Sequence, residues 1–518
     1  MTTGLSRSIL ILCAAMLAIP AQAADSDHSP DHWFEDGQAR LKWAEAIKPN
    51  TGRAKNVIVF LGDGMGIATV TAARILAGQQ KGGEGEDNVL SFETFPYASL
   101  SKTYTTDNQI GESAGTITAI MTGVKTASGV IGVKDSAGIR YVNGKPVAPA
   151  DCGASQKLTT ALEYAEMDGM ATGVVTTARL THATPAGTYA HVSNRNWEAD
   201  ADVAQMQPNA NGRCKDIAAQ LIDFPYGDGI EVAMGGGRVN FIPWTTQDPE
   251  ATAAKPMPGR RLDGRDLTKE WQEKRKGAAY VWNAKQLDAL DPAKTGPVLG
   301  LFEPSHMQYE ADRAEDTAGE PSLAEMTAFA IHKLATNKAG FFLLVEGGRI
   351  DHAHHAGNAY RALTDTIEFA KAVKTAMDLT KESDTLIIVT ADHSHTLTIA
   401  GYAPRGNPIL GLAKRFDPAS GTYVPALAGD GKPYTTLGYA NGPGAVVGAR
   451  PDLTDVDTEA KDFKQQALVP LGSETHGGED VPVYARGPKA YLLTGVFEEN
   501  YIFHVIDAAA GLRSHARQ

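Results

Sequence analysis

Seven short apolar runs, three of them followed by an acid or an acid–imidazole pair, restrict the sheet this chain can build. They begin at NVIVFLGDGMG (Asn56 to Gly66) and recur at Thr172 to Thr176, Glu231 to Met234, Val298 to Phe302, Phe341 to Val345, Thr385 to Val389 and Val481 to Tyr484. Runs that are apolar at successive positions predict strands buried on both faces, the condition of a parallel sheet. Helical patterns fall between several of them, such as TVTAARILA after the first run and Leu363 to Leu379 before the sixth. The expected fold is therefore α/β, a mostly parallel central sheet with helices on both faces. Residues 402–471 differ, being rich in Gly, Pro and short apolar pieces, and read as an inserted subdomain of irregular and β structure. Residues 55–401 and 472–518 form the main α/β domain. A polar arm, 24–54, precedes it, with a helix expected from about Trp33 to Ile47. A length of 518 residues suits one large domain with insertions as well as two or three average ones.

The N-terminus has the parts of a secretory leader: Arg7, an apolar run from Ile9 to Ile19, and the small-x-small site Ala21-Gln22-Ala23. Removal after residue 23 is expected, giving an exported protein, periplasmic or secreted, with no membrane anchor, since no later run approaches ~18 apolar residues. Cys13 would leave with the leader. Cys152 and Cys214 would remain, and in an oxidising compartment they most economically form one disulfide; two free buried thiols are the alternative. The formal net charge of −13 argues against a nucleic-acid-binding surface. An anionic ligand must then meet a local positive centre, and bound cations are one way to supply it.

The residues after the apolar runs carry the chemistry. Asp63 closes the first, Glu346 follows FFLLV, and Asp392-His393 follows TLIIVTA. Sites in open α/β sheets form beyond the carboxyl ends of the strands, so these groups can converge although distant in sequence. A single acid there is usually a turn former or cap; three such ends together are harder to dismiss. Five of the fourteen histidines lie in DHAHH (Asp351 to His355) and DHSH (Asp392 to His395). Asp351 and His355 are one helical turn apart and face the same way, as metal ligands would. His354 and His395 read as packing or supporting residues, and His476, in SETHGGED, as a further ligand. GESAGTITAIMTGVKT (Gly111 to Thr126) reads as a helix opening near Ser113, whose free N–H groups suit a phosphoryl group; a plain helix cap is the alternative.

At these residues a family becomes visible. FLGDGMG, SAGTITA, HATPAGTYAHVSNRNW, VEGGRIDHAHH, TADHSH and ETHGGEDV together resemble alkaline phosphatases, most of all the animal-type branch, from the N-terminal arm to about His504. The resemblance implies two zinc ions and one magnesium. Asp63, Asp392 and His393 would hold one zinc, beside the nucleophile Ser113. Asp351, His355 and His476 would hold the other, and Asp63, Thr184 and Glu346 the magnesium. Arg195 would fork two phosphate oxygens, with His182 and His352 near the phosphate and metals. Glu112 stands where the family usually has Asp, a longer side chain in the position that would support Arg195. Glu250, the Phe302 carbonyl, Glu303 and Glu320 resemble the calcium site of the animal branch, Glu320 standing in for an Asp. Tyr402 and the insertion after it resemble a dimer-contacting crown, implying a homodimer.

The implied reaction is hydrolysis of phosphate monoesters through phosphorylated Ser113, with two cations on the attacking and leaving oxygens. A phosphodiesterase or cofactor-independent phosphomutase of similar fold is the nearest rival. A sulfatase is disfavoured because no C/S-x-P-x-R setting surrounds Ser113. A catalytically silent metal- or phosphate-binding protein would have little reason to keep nucleophile, arginine and ligands together.

Overall fold

The computed structural model describes residues 30–142, 145–147, 149, 152–206 and 214–514. The expected leader lies outside the described residues. A helix, α1 (Pro30–Ala46), forms a unit by itself and has no buried residue. Everything from Ile47 onward forms the second unit.

That unit is built on a ten-stranded sheet. In chain order its strands are β1 (Asn56–Gly62), β2 (Tyr97–Lys102), β3 (Ala171–Arg179), β4 (Val232–Gly236), β5 (Ala279–Val281), β6 (Val298–Leu301), β7 (Phe341–Gly347), β8 (Thr385–Thr390), β9 (Val481–Arg486) and β10 (Val496–Glu498). Their spatial order is β10-β2-β9-β8-β1-β7-β3-β4-β6-β5. Only β9 runs against its neighbours β8 and β2; every other pairing is parallel. All seven apolar runs are strands of this one sheet. The three strands without such a run, β2, β5 and β10, lie at or near its edges, where a short or half-polar segment is sufficient.

Side chains alternate across β1, and each face has its own core. Val57, Val59 and Leu61 pack with Ile117 and Ile120 of α3 (Ser113–Thr122) and Phe503 of α7 (Tyr501–Ala510). Ile58 and Phe60 pack on the other face with Val70 of α2 (Ile67–Gln79), Met326 of α4 (Leu323–Leu334) and Phe369 of α6 (Ala359–Leu379). A short helix, α5 (Arg349–His355), follows β7 directly. Residues 402–471 contain no helix and carry the hairpin Lys414–Asp417/Thr422–Pro425 and two strands, Leu437–Gly442 and Ala467–Pro470, that pair with each other. Cys152 and Cys214 are joined as a disulfide, their Cα atoms 5.4 Å apart and 62 positions apart in sequence. Among the described residues no helix is long and apolar enough to cross a membrane.

Candidate active site

Strand register brings the acids together. Leu61 lies opposite Glu346 on one side and Thr390 on the other, so Asp63, Glu346 and Asp392 emerge at one edge of three adjacent strands. The chain turns sharply after Asp63 at Gly64, where φ is +70° and an added Cβ would sit 2.3 Å from the His395 ring. Only glycine fits that turn. All three carboxyls are fully buried. Both oxygens of Asp63, Oδ2 of Asp392 and Oε1 of Glu346 have no hydrogen-bond partner. Burial, followed by the charge of Asp392, holds Asp63 well above its ordinary range. Burial likewise pushes Asp392 to about 6 and Glu346 to about 8. Uncompensated buried carboxylates cost several kcal/mol each on the order of magnitude of desolvation, so a cluster of them calls for a cation.

The imidazoles sit against this cluster with fixed tautomers. His355 Nδ1 donates to the Glu474 carbonyl at 2.6 Å, and His476 Nδ1 to the Gly111 carbonyl at 2.9 Å. Each Nε2 is therefore a bare lone pair, and the two face each other 3.2 Å apart. Asp351 Oδ1 lies 3.3 Å from His355 Nε2 and 3.4 Å from His476 Nε2. His393 Nε2 stands 3.3 Å from Asp63 Oδ1 and 3.4 Å from Asp392 Oδ2, and burial keeps this ring well below the ordinary imidazole range. Two sets of lone pairs thus converge, one at Asp63, Asp392 and His393 and one at Asp351, His355 and His476. Asp63 and Glu346 also come together with the His182 ring beside them, and the buried Thr184 hydroxyl likewise lacks a partner. Imidazoles oriented by a carbonyl on the far nitrogen are the usual support of metal ligands.

His395 takes a more central place than packing. It bridges Asp351 Oδ1 at 2.8 Å and Glu474 Oε2 at 2.5 Å. Although burial opposes its charge, those two carboxylates push it up to about 9. Burial would raise Asp351, but the imidazoles around it, first the His395 ring bonded to its Oδ1, outweigh that and hold this acid well below its ordinary range. His354 is the packing residue expected, bonded to Thr69 and Tyr439.

Ser113 opens α3 and its Oγ lies 3.5 Å from His393 Nε2. The helix cap is Glu112 and not Ser113. Its carboxylate accepts the N–H groups of Ala114 (3.1 Å), Gly115 (2.7 Å) and Gly129 (2.7 Å), so the Ala114 and Gly115 amides of α3 are not free for an anion. The same carboxylate receives Arg195 Nη1 at 2.5 Å, so the longer acid still reaches the arginine. Arg195 Nη2 donates to His182 Nε2 at 3.2 Å, leaving His182 Nδ1 buried and unpartnered. The His352 ring lies 5.4 Å from His182, and burial lowers it to about 3.

Of the calcium positions, Glu250 and Glu303 come together, Phe302 immediately preceding Glu303 at the end of β6, but the third carboxylate is Asp316. Glu320 does not join the cluster; both its oxygens accept the Gln308 N–H, at 3.0 and 3.2 Å. Asp316 lies in a loop with no periodicity to single it out. Glu474 lies two residues before His476, and no local pattern singles it out; its role comes from its bond to His395.

Cation ligands around a serine hydroxyl and a guanidinium are the equipment of a metal-dependent enzyme acting on phosphate esters. The alkaline phosphatase family model matches residues 54–512, and the chain belongs to that family. It is 45% identical over 512 residues to the tissue-nonspecific alkaline phosphatase isozyme of Gallus gallus, covering 97% of this chain and 94% of that one. Against the alkaline phosphatase of Gadus morhua it is 44% identical, covering 94% and 98%. Among solved structures, Thermus thermophilus alkaline phosphatase matches with a TM-score of 0.62 at 25% identity, covering 90% of this chain and 93% of that one. The enzyme of the Antarctic bacterium TAB5, at 21% identity and TM-score 0.58 over 89% and 99%, agrees in fold.

Proposed function

We propose that this chain is an alkaline phosphatase that hydrolyses phosphate monoesters through a phosphorylated Ser113, in a site for two zinc ions and one magnesium. The observation that carries the metal reading is the pair of bare Nε2 atoms of His355 and His476, 3.2 Å apart beside the Asp351 carboxylate. Lone pairs and an anion at that distance repel unless a cation lies between them. Asp351, His355 and His476 would hold one zinc, and Asp63, Asp392 and His393 the other. Asp63, Thr184 and Glu346 would hold magnesium, and their partnerless oxygens support this. Glu250, Glu303 and Asp316, with the Phe302 carbonyl, would hold calcium. When bound, the catalytic cations supply Lewis-acid charge that favours ionised oxygen nucleophiles and stabilises a departing alkoxide.

The chain's own residues do the positioning. Ser113 Oγ gives up its proton and forms a bond to phosphorus as the bond to the alcohol oxygen breaks, and the alcohol leaves carrying a proton. Water then displaces Ser113 from phosphorus, releasing inorganic phosphate and restoring the hydroxyl. Arg195 forks two phosphate oxygens, held at its rear by Glu112 and at its side by His182. Because Glu112 occupies the Ala114 and Gly115 amides, Arg195 is the side chain that meets the phosphate here.

Incubation with labelled phosphate followed by acid quench tests the nucleophile. Label on the wild type and none on Ser113→Ala is expected; label on both rejects Ser113. A diester turned over faster than a monoester would favour the phosphodiesterase reading instead. We further infer export after loss of residues 1–23 and a homodimer contacted through a crown at 402–471, where Tyr402 is 94% exposed. A monomeric mass by light scattering would reject the dimer.

A further inference from the structure

On a chain of net charge −13, one wall beside the site gathers three guanidiniums and three imidazoles. It starts at Arg195, which touches His182 at 3.2 Å. The His182 ring lies 5.4 Å from His352 and 5.3 Å from His306, and His306 and His352 are 4.0 Å apart. His306 contacts the Arg179 guanidinium, and His352 Nδ1 receives Arg349 Nη1 at 3.1 Å. All six side chains are half-buried, so the wall retains solvent access along its length.

The charges on this wall are unequally matched. Glu112 pairs Arg195, and Glu198 pairs Arg179 through two hydrogen bonds of 2.7 and 2.6 Å. Among the described residues Arg349 makes no ion pair, and its Nε is buried without a hydrogen-bond partner. Its guanidinium stacks on Tyr309, 3.7 Å from the ring centroid, so it is held in place although no acid holds it. Asp365, which burial pushes up to about 8 against the opposing pull of the Arg349 charge, accepts the Glu310 N–H at 3.1 Å and forms no ion pair with the guanidinium. A fixed, half-buried and unneutralised guanidinium at the far end of the wall is prepared for an anion that arrives with the substrate.

We propose that Arg349, flanked by His306 and His352, is a subsite for a second anionic group carried by the alcohol part of the phosphate monoester. The inference rests on the phosphatase reading of the Ser113 site and adds a substrate class to it: esters bearing a further phosphate or carboxylate. The reacting phosphate stays with Arg195, and the second group lies along the imidazoles toward Arg349. Neutral-alcohol esters remain substrates without that contact.

The test compares kcat/KM for glycerol phosphate, a sugar bisphosphate and 3-phosphoglycerate, in the metal-loaded wild type and in Arg349→Gln, Arg349→Lys and His306→Gln. In Arg349→Gln the ratio of each substrate carrying a second anionic group to glycerol phosphate should fall about tenfold, mainly through KM, the loss of one charge-assisted hydrogen bond. Arg349→Lys should recover part of it, and His306→Gln should show a smaller fall in the same direction. Loss with the bisphosphate alone would assign the subsite to phosphate, and loss with 3-phosphoglycerate alone to carboxylate. Equal loss on all three substrates, or no change in either ratio, overturns the subsite while leaving the Ser113 reading intact. A wild type that turns over none of the three overturns both.

Discussion

Glu112 ties stability and catalysis to one carboxylate, and removing it separates them. The group accepts three backbone N–H bonds of 2.7–3.1 Å and one from Arg195 at 2.5 Å. Truncation to Ala removes a helix cap, worth about 0.5–2 kcal/mol, and a charge-assisted bond, worth about 1.5–3 kcal/mol. It also leaves the Gly129 amide without its acceptor. Unfolding of Glu112→Ala should therefore be about 3 kcal/mol easier than wild type, in denaturant titrations of metal-loaded protein. The catalytic share is what Arg195 loses in alignment. If about 2 kcal/mol of its transition-state binding depends on being held, kcat/KM falls roughly 30-fold. Measuring Glu112→Ala, Arg195→Ala and the double variant on one monoester isolates that share. Once Arg195 is gone, removing Glu112 should cost stability but almost no further kcat/KM. Effects on kcat/KM that multiply in the double variant would refute the idea that Glu112 acts through the arginine.

Stripping the protein with chelator should abolish turnover and lower the thermal midpoint, both restored by zinc with magnesium; ligand at about 100 times its Kd accounts for roughly 2.7 kcal/mol of stability. Unchanged melting after verified metal loss would contradict the reading of Asp63, Asp392 and Glu346 as cation-compensated. Replacing Cys152 and Cys214 with Ser opens a loop of 62 positions, and should cost about 4 kcal/mol in denaturant unfolding, against no change if the bond is incidental. Glu166 is buried near Glu231, and burial first, then that neighbour, pushes it up to about 8. The folded state then keeps a proton that the unfolded chain loses in the ordinary glutamate range, so stability falls as pH rises from there to about 8. Melting curves of Glu166→Gln should show a shallower decline over that window; parallel declines would mean that Glu166 is not the group responsible.

The central strands could be read from the chain because burial on both faces makes a parallel strand apolar at every position, and Val57 to Leu61 or Phe341 to Val345 have no other use. The acids at their ends followed, since a charge terminating such a run has to go somewhere. Edge strands β5 and β10 were invisible: three residues with one covered face leave no pattern. The resemblance supplied Ser113, Arg195 and Thr184, which local pattern alone would have left as a cap, a surface cation and a loop residue. What remained hidden was side-chain reach. Whether His395 packs or bridges two acids depends on where Glu474 arrives, 79 positions later. Asp316 rather than Glu320 meets Glu303 for the same reason, and Arg349 looks like any helix-opening arginine until its lack of an acidic partner is seen. Contacts across distant loops are set by the assembled fold, and no periodicity encodes them.

Diffraction from crystals of the active enzyme, recorded on both sides of the zinc absorption edge, tests the metal-assisted Ser113 account most directly. Anomalous peaks are expected in two places: between His355 Nε2, His476 Nε2 and Asp351, and beside Asp63, Asp392 and His393. Crystals that turn over a phosphate monoester at the full solution rate with neither position occupied by any metal would contradict it.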